Sequence, residues 1–404
     1  MTATIRSITG GVTAPAGFQA AGLACGIKKD NTPDLALLFS DRDAAAAGVF
    51  TRNRVVAAPV VWTRKILRKE KLRAVIVNSG NANACTGRRG KDDTTAMAAE
   101  TARCFNLCAQ DIAVASTGVI GQPLPMEKIL PAIPLVAAKL SGRGNAQAAR
   151  AILTTDTFPK SKAVEIREKT GRFRIGGIAK GSGMIHPDMA TMLAFFTTDA
   201  AIAPALLKKA LRTAVDRSFH RITVDGDTST NDTVLILANG ASGIRIEEGE
   251  LISSGFQKAL NGICLELAQE IVKDGEGATK FITLRVIHGR KTQECLKIAK
   301  AIATSSLVKT ALFGEDANWG RILSSAGTAG VPFRPESVDI YFGDIQIVKG
   351  GCPSGAAEEK EAARLLKKRK IQITVDLNLG TAETEVYTSD LSYDYVRINA
   401  EYRS

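Results

Sequence analysis

A chain of 404 residues with 45% hydrophobic and 23% charged side chains has the balance of a globular protein of two or three compact units. No run approaches the roughly 20 apolar residues that span a bilayer, and the N-terminal MTATIRSITGGVTAPAGF lacks the apolar core of a secretory signal, which argues against a membrane protein or an exported one. A net charge of +12 permits a nucleic acid or an acidic metabolite as partner. However, the dense basic run RLLKKRK (364–370) reads as a helix end, and aromatics make up only 5%, poor material for stacking bases. No nucleic acid and no membrane are therefore expected as partners. The seven cysteines are odd in number and scattered, as in reduced thiols of a cytoplasmic protein. Cys104 and Cys108 stand four apart in a predicted helix, but no histidine or second cysteine pair lies close enough in sequence to complete a zinc site. They read as small buried side chains, and no metal is expected.

Strand-like and helix-like segments alternate along the chain. Residues 74–77 form a short β-rich run ending in a Gly/Asn loop, 92–108 read as a helix, and 112–115 as a second short strand. Two strands flank the turn at 169–172, a predicted hairpin. Helices are predicted over 204–218 and 256–273, the latter with Leu260, Ile263, Cys264, Leu267 and Ile271 on one face. Strands are predicted at 233–237 and 281–288, a mostly helical stretch at 293–313, and sheet-like alternation from Ile371 to the end. The pattern is an α/β (α+β) protein with substantial antiparallel pairing.

The segment with the most distinctive chemistry is KGSGMIHPDMATML (180–193). Gly181, Gly183 and Pro187 make it a loop, and it runs straight into the apolar strand of Met192 to Phe196. Thr191 therefore stands at a loop-to-strand junction beside the small Ala190. A threonine hydroxyl needs a base to act as nucleophile. A cut between Ala190 and Thr191 would supply one, because the freed α-amine has a pKa of about 7.7–8. The hydroxyl itself can make that cut by attacking the Ala190 carbonyl, forming an ester that water opens. On local residues alone, a glycine-rich turn entering a core strand is the simpler account of the segment.

KGSGMIHPDMATML closely resembles the cleavage segment of the ornithine acetyltransferase family, also called the bifunctional glutamate N-acetyltransferases. The resemblance extends through VTAPAGF (12–18), NSGNANACTG (78–87), STGVIG (116–121), TTDTFPK (154–160), RITVDGDTSTND (221–232), DGEGATK (274–280), FGEDANWGRIL (313–323) and INAEYRS (398–404). It implies a layered sandwich of the ArgJ/DmpA-like type, with mixed, largely antiparallel sheets and a smaller C-terminal lobe. Residues 1–190 would form an alpha chain and 191–404 a beta chain within one folded unit, and two such units would associate. The resemblance makes Thr191 the nucleophile and Thr117 and Gly118 the oxyanion donors. It makes Thr154, Lys180, Thr191, Glu276, Asn399 and Ser404 the substrate contacts, with Thr155 an alternative to Thr154. The implied substrates are N-acetylornithine and glutamate, without a cofactor, and acetyl-CoA is an open second donor. Lys180 suits a substrate carboxylate, Glu276 an ammonium, and the neutral side chains hydrogen bonds. The chain departs from the family pattern at Asp188 and His220, where asparagine is common. None of the three histidines, His186 included, is assigned a catalytic role.

Two other readings compete with acetyl transfer. An amidohydrolase or aminopeptidase with the same N-terminal nucleophile would pass the acyl group to water, and only the second acceptor distinguishes it. A non-enzymatic nucleic-acid-binding protein would need several basic clusters with interleaved aromatics, whereas the chain has one basic run.

Overall fold

A computed structural model describes residues 3–169, 171–186, 192–251 and 255–401. The largest sheet has nine strands among the described residues. Across it the order is Thr4–Ile8, Lys160–Glu168, Gly171–Lys180, Leu193–Thr198, Thr233–Ala238, Leu35–Phe50, Lys71–Asn81 and Ile112–Val119, and Phe18–Leu23 pairs separately with Leu35–Phe50. Pairing is mixed. The hairpin predicted around 169–172 is the antiparallel pair Lys160–Glu168 and Gly171–Lys180, and Leu193–Thr198 runs parallel to Thr233–Ala238.

Alternation along the central strands fixes the layers. Ala194 and Phe196 point into a core shared with helices Pro204–Asp216 and Phe256–Lys273, which cover one face. Leu193 and Phe195 point the other way, into a core shared with helix Asn145–Ala151. Helices Gly87–Arg103 and Met126–Ala138 pack with strands Leu35–Phe50 and Lys71–Asn81 to form a further core. The predicted helix over 256–273 is present, and the five residues assigned to its apolar face are all buried.

A second sheet of seven strands is built almost wholly from the last third of the chain and has its own core, from Ile282 to Val386. This is the smaller C-terminal lobe. The predicted stretch 293–313 forms two helices, Thr292–Ala303 and Ser306–Phe313, and RLLKKRK follows the body of helix Ala356–Leu365 and enters strand Lys370–Asp376, as expected of a helix end.

Two details differ from the sequence reading. The tail is not sheet to its end: after strand Ala382–Ser389 it forms helix Tyr393–Glu401. Cys104 and Cys108 do not share a helix face either, because helix Gly87–Arg103 stops before the first and Cys108 precedes the short turn Ala109–Asp111. Among the described residues, no helix is long and apolar enough to cross a membrane.

Candidate active site

Residues from distant parts of the chain meet around Lys180. Lys180 is the last residue of its strand, opposite Leu193 in the register. Its side chain is buried, with 2% exposure, which a lysine tolerates only among good partners. Its Nζ donates to Thr154 Oγ1 at 2.6 Å and to Thr117 Oγ1 at 3.3 Å, and it lies 3.7 Å from Asp156 Oδ2. Three of the predicted residues, Thr117, Thr154 and Lys180, therefore converge on one ammonium. Thr154 faces Lys180, whereas the Thr155 hydroxyl pairs with Ser182 Oγ at 2.7 Å.

Gly118 follows Thr117 with φ of +133°. A Cβ there would stand 2.3 Å from the Gly80 carbonyl carbon, so both conformation and space require glycine. The predicted oxyanion pair is thus clamped against the neighbouring strand, where Ser79 opposes Thr117 and Gly80 opposes Gly118.

Beneath Lys180 lies a buried ionic network. Asp156 receives the Gly181 N–H at 2.6 Å and the Lys160 ammonium at 2.7 Å. Lys160 continues to Asp274 Oδ2 at 2.5 Å, and Asp274 also accepts the Thr157 N–H and hydroxyl. Burial works against the Asp156 charge, but Lys180, Lys160 and the Gly181 N–H outweigh it and hold its carboxyl well below the usual carboxylate range. Burial draws the Lys180 ammonium down from its ordinary value, against the pull of Asp156.

Glu276 and Asn399 form a second cluster. Asn399 Nδ2 donates to Glu276 Oε2 at 2.8 Å, and the Glu276 N–H donates to the Ser182 carbonyl at 3.0 Å. The Glu276 carboxylate covers Gly183 so closely that a Cβ there would meet it at 2.3 Å. Glu276 is near enough to favour the charged form of Lys180. A cation and an anion thus lie within electrostatic reach of each other.

Thr191, Ala190 and Ser404 lie outside the described residues, as does Asp188. The chain on both sides of that segment is anchored. Upstream, Asp225 accepts the N–H groups of Met184 and Ile185 at 2.6 and 2.8 Å. Downstream, Asp232 accepts the Met192 N–H at 3.0 Å. Burial pushes the Asp225 carboxyl up to about 6, against the N–H groups it receives. His220 and His288 pair with Asp216 and Asp376, away from this cluster. A separate cavity of about 710 Å³, lined in part by Arg64, Arg68, Lys208 and Arg212, contains none of the predicted site residues.

A family model described as the ArgJ family matches residues 19–404. The chain belongs to the ArgJ family. It is similar to the arginine biosynthesis bifunctional protein ArgJ of Symbiobacterium thermophilum, with 51% identity over 400 residues, covering 98% of this chain and 99% of that protein. It is also similar to the glutamate N-acetyltransferase of Methanocaldococcus jannaschii, with 48% identity over 410 residues, covering 98% of this chain and all of its relative. A crystal structure of ornithine acetyltransferase complexed with ornithine from Mycobacterium tuberculosis is 46% identical, with a TM-score of 0.43, and covers 46% of this chain and 98% of that one.

Within this ArgJ-family chain, the sequence reading missed Asp156, Lys160, Asp274, Asp225 and Asp232. All five fall inside segments that carried the resemblance or beside them, yet no local pattern marks them. Their importance comes from side-chain partners as far as 117 residues away.

Proposed function

We propose that this cytoplasmic enzyme moves the acetyl group of N-acetylornithine to glutamate, giving ornithine and N-acetylglutamate, through an acetyl ester on Thr191. The observation that carries this reading is the buried Lys180 ammonium, bonded to both Thr154 and Thr117. It supports a reading in which Lys180 meets the substrate carboxylate beside the Thr117 hydroxyl, on a chain of the ArgJ family. Self-cleavage comes first. Thr191 Oγ attacks the Ala190 carbonyl, the peptide nitrogen takes a proton and becomes the α-amine, and water hydrolyses the resulting ester. In turnover the α-amine accepts the hydroxyl proton as Oγ attacks the acetyl carbonyl. The Thr117 hydroxyl and the Gly118 N–H stabilise the oxyanion, a contribution of about 3–4 kcal/mol for one such donor. Ornithine leaves with the proton on its amine. The glutamate amine then attacks the acetyl-Thr191 ester, regenerating the hydroxyl and releasing N-acetylglutamate. Lys180 holds the α-carboxylate, while Glu276, Asn399 and Ser404 hold the other end of the substrate. The cycle needs no metal or prosthetic group, and two alpha and two beta chains form the assembled enzyme.

Denaturing electrophoresis of the wild-type chain tests this reading. It should give fragments 1–190 and 191–404, the second beginning Thr-Met-Leu-Ala-Phe. Thr191→Ala should remain whole and inactive, and Thr191→Ser should still cleave. An uncut wild-type chain with full acetyltransferase activity would refute the mechanism, since the catalytic amine would not exist. Ornithine release at the same rate with and without glutamate would favour the amidohydrolase. Glutamate acetylation by acetyl-CoA alone decides whether that thioester is a second donor.

A further inference from the structure

The strand that carries Thr117 and the strand that begins after position 191 are not neighbours. Between Leu193–Thr198 and Ile112–Val119 lie Thr233–Ala238, Leu35–Phe50 and Lys71–Asn81. Four strand spacings would separate them by about 19 Å on a flat sheet. The sheet ladder alone therefore does not set the distance between the nucleophile and the oxyanion donors.

Two consecutive residues span that gap. Asp232 is fully buried, and its Oδ1 accepts the Met192 N–H, one residue after position 191. The Asn231 amide, also buried, donates to the Ser116 carbonyl at 2.8 Å, one residue before Thr117, and to the Ala82 carbonyl at 2.6 Å. The dipeptide is itself fixed, because the Asp232 carbonyl accepts the Thr51 N–H at 3.0 Å and the Thr233 N–H donates to the Met192 carbonyl at 3.2 Å.

We propose that Asn231 and Asp232 form a positioning element that sets the spacing between residue 191 and the oxyanion donors Thr117 and Gly118. The proposal rests on the acetyl-transfer reading above and adds residues to it. Neither side chain needs to touch the acetyl group. Each holds a backbone atom adjacent to a residue that does, and misplacement of about 1 Å at a reacting centre costs on the order of 100-fold in rate. Burial pushes the Asp232 carboxyl well above the usual carboxylate range, against the Met192 N–H and the field of Lys180. The nearby Thr51 hydroxyl favours the charged form, but its proton is committed to the Ser229 carbonyl at 2.7 Å. The Asp232 Oδ2 atom is buried without a hydrogen-bond partner among the described residues. A carboxamide keeps one oxygen to accept the Met192 N–H without the carboxylate charge.

The test compares Asn231→Ala, Asp232→Ala and Asp232→Asn with the wild type. Readouts are the time course of cleavage, kcat and KM for N-acetylornithine per cleaved chain, and melting temperature. Both alanine variants should lose about 10- to 100-fold in cleavage rate and in kcat. Their KM should stay near wild type, because Lys180 and Glu276 are untouched, and Asp232→Asn should restore both rates. If Asp232→Ala does not fold, the other two variants still decide: Asn231→Ala must lower kcat and Asp232→Asn must not. Wild-type cleavage and kcat in the alanine variants would overturn the proposal. So would a melting-temperature loss with normal kcat per folded chain, or an Asp232→Asn variant as impaired as Asp232→Ala. A wild-type chain that neither cleaves nor transfers acetyl would instead remove the acetyl-transfer reading itself.

Discussion

Lys160→Met isolates the energetics under the site. The wild-type ammonium is fully buried between Asp156 and Asp274, at 2.7 and 2.5 Å. Methionine is a similar length and uncharged, so the loss is one of charge more than of volume. Asp156 keeps Lys180 at 3.7 Å and the Gly181 N–H, but Asp274 keeps only the Thr157 N–H and hydroxyl among the described residues. Removing one partner of a buried ion pair costs about 3–5 kcal/mol. For 404 residues the unfolding entropy is on the order of 0.85 kcal/mol/K, so the melting temperature should fall by about 4–6 °C. Calorimetry at a matched scan rate measures it. The pH dependence has a definite sign. The Asp156 carboxyl is held below its unfolded value, so its contribution to wild-type stability is present above about pH 4 and is lost as the pH falls further. The gap between wild type and variant should therefore narrow on acidification. Adding Asp274→Asn should recover part of the loss, because the uncompensated charge is the main cost. A shift under about 1 °C at pH 7, or a double variant worse than the sum of its parts, would refute this account.

Other residues of the site give simpler tests. Lys180→Ala should raise KM for N-acetylornithine about 10- to 150-fold, the cost of a charged hydrogen bond, and unchanged kinetics in a cleaved variant would remove its carboxylate role. Asn399→Ala, or deletion of 399–404, should impair turnover with little change in melting temperature, since helix Tyr393–Glu401 has no buried residue; full activity after the deletion would exclude the tail from the site. The two cleaved fragments should co-elute in native size exclusion and separate only in denaturant; free fragments in native buffer would contradict the shared sheet.

Sequence and structure agree most where chemistry is local. Helix 256–273 was legible because apolar residues recur at helical spacing over five turns, and the hairpin at 169–172 because two alternating runs flank a glycine turn. The strand Leu35–Phe50 was not. Its centre, DRDAAAAG, has poor β propensity, and only pairing on both sides holds it extended. The terminal helix was missed for a different reason. It buries no side chain, so it leaves no apolar period, and contacts such as Ser392 with Gly277 and Asn399 with Glu276 fix it. At the site, the resemblance supplied Thr117, Thr154, Lys180, Glu276 and Asn399. It did not reveal that Asp156 and Asp274 are balanced in the interior by Lys160 and Lys180. An aspartate in a loop reads as solvated until the fold shows what lies opposite it.

The strand order explains how a chain can be cut at its active site and keep that site. Leu193–Thr198 and Thr233–Ala238 belong to the segment after position 190, yet they lie inside the large sheet. On one side they pair with Gly171–Lys180 and on the other with Leu35–Phe50, both from the segment before it. Withdrawing them would split the sheet in two, expose two unpaired strand edges, and strip Phe195 and Phe196 from cores on opposite faces. The peptide bond at 190–191 contributes little to this arrangement, because hydrogen bonds and burial on both sides fix its flanks. Asp225 anchors the incoming chain and Asp232 the outgoing chain, and both aspartates come from the later segment. Cleavage between those anchors can free an amine without releasing the strands that hold it. A sheet interleaved in this way permits one threonine to act first on its own backbone and afterwards on a substrate in the same place.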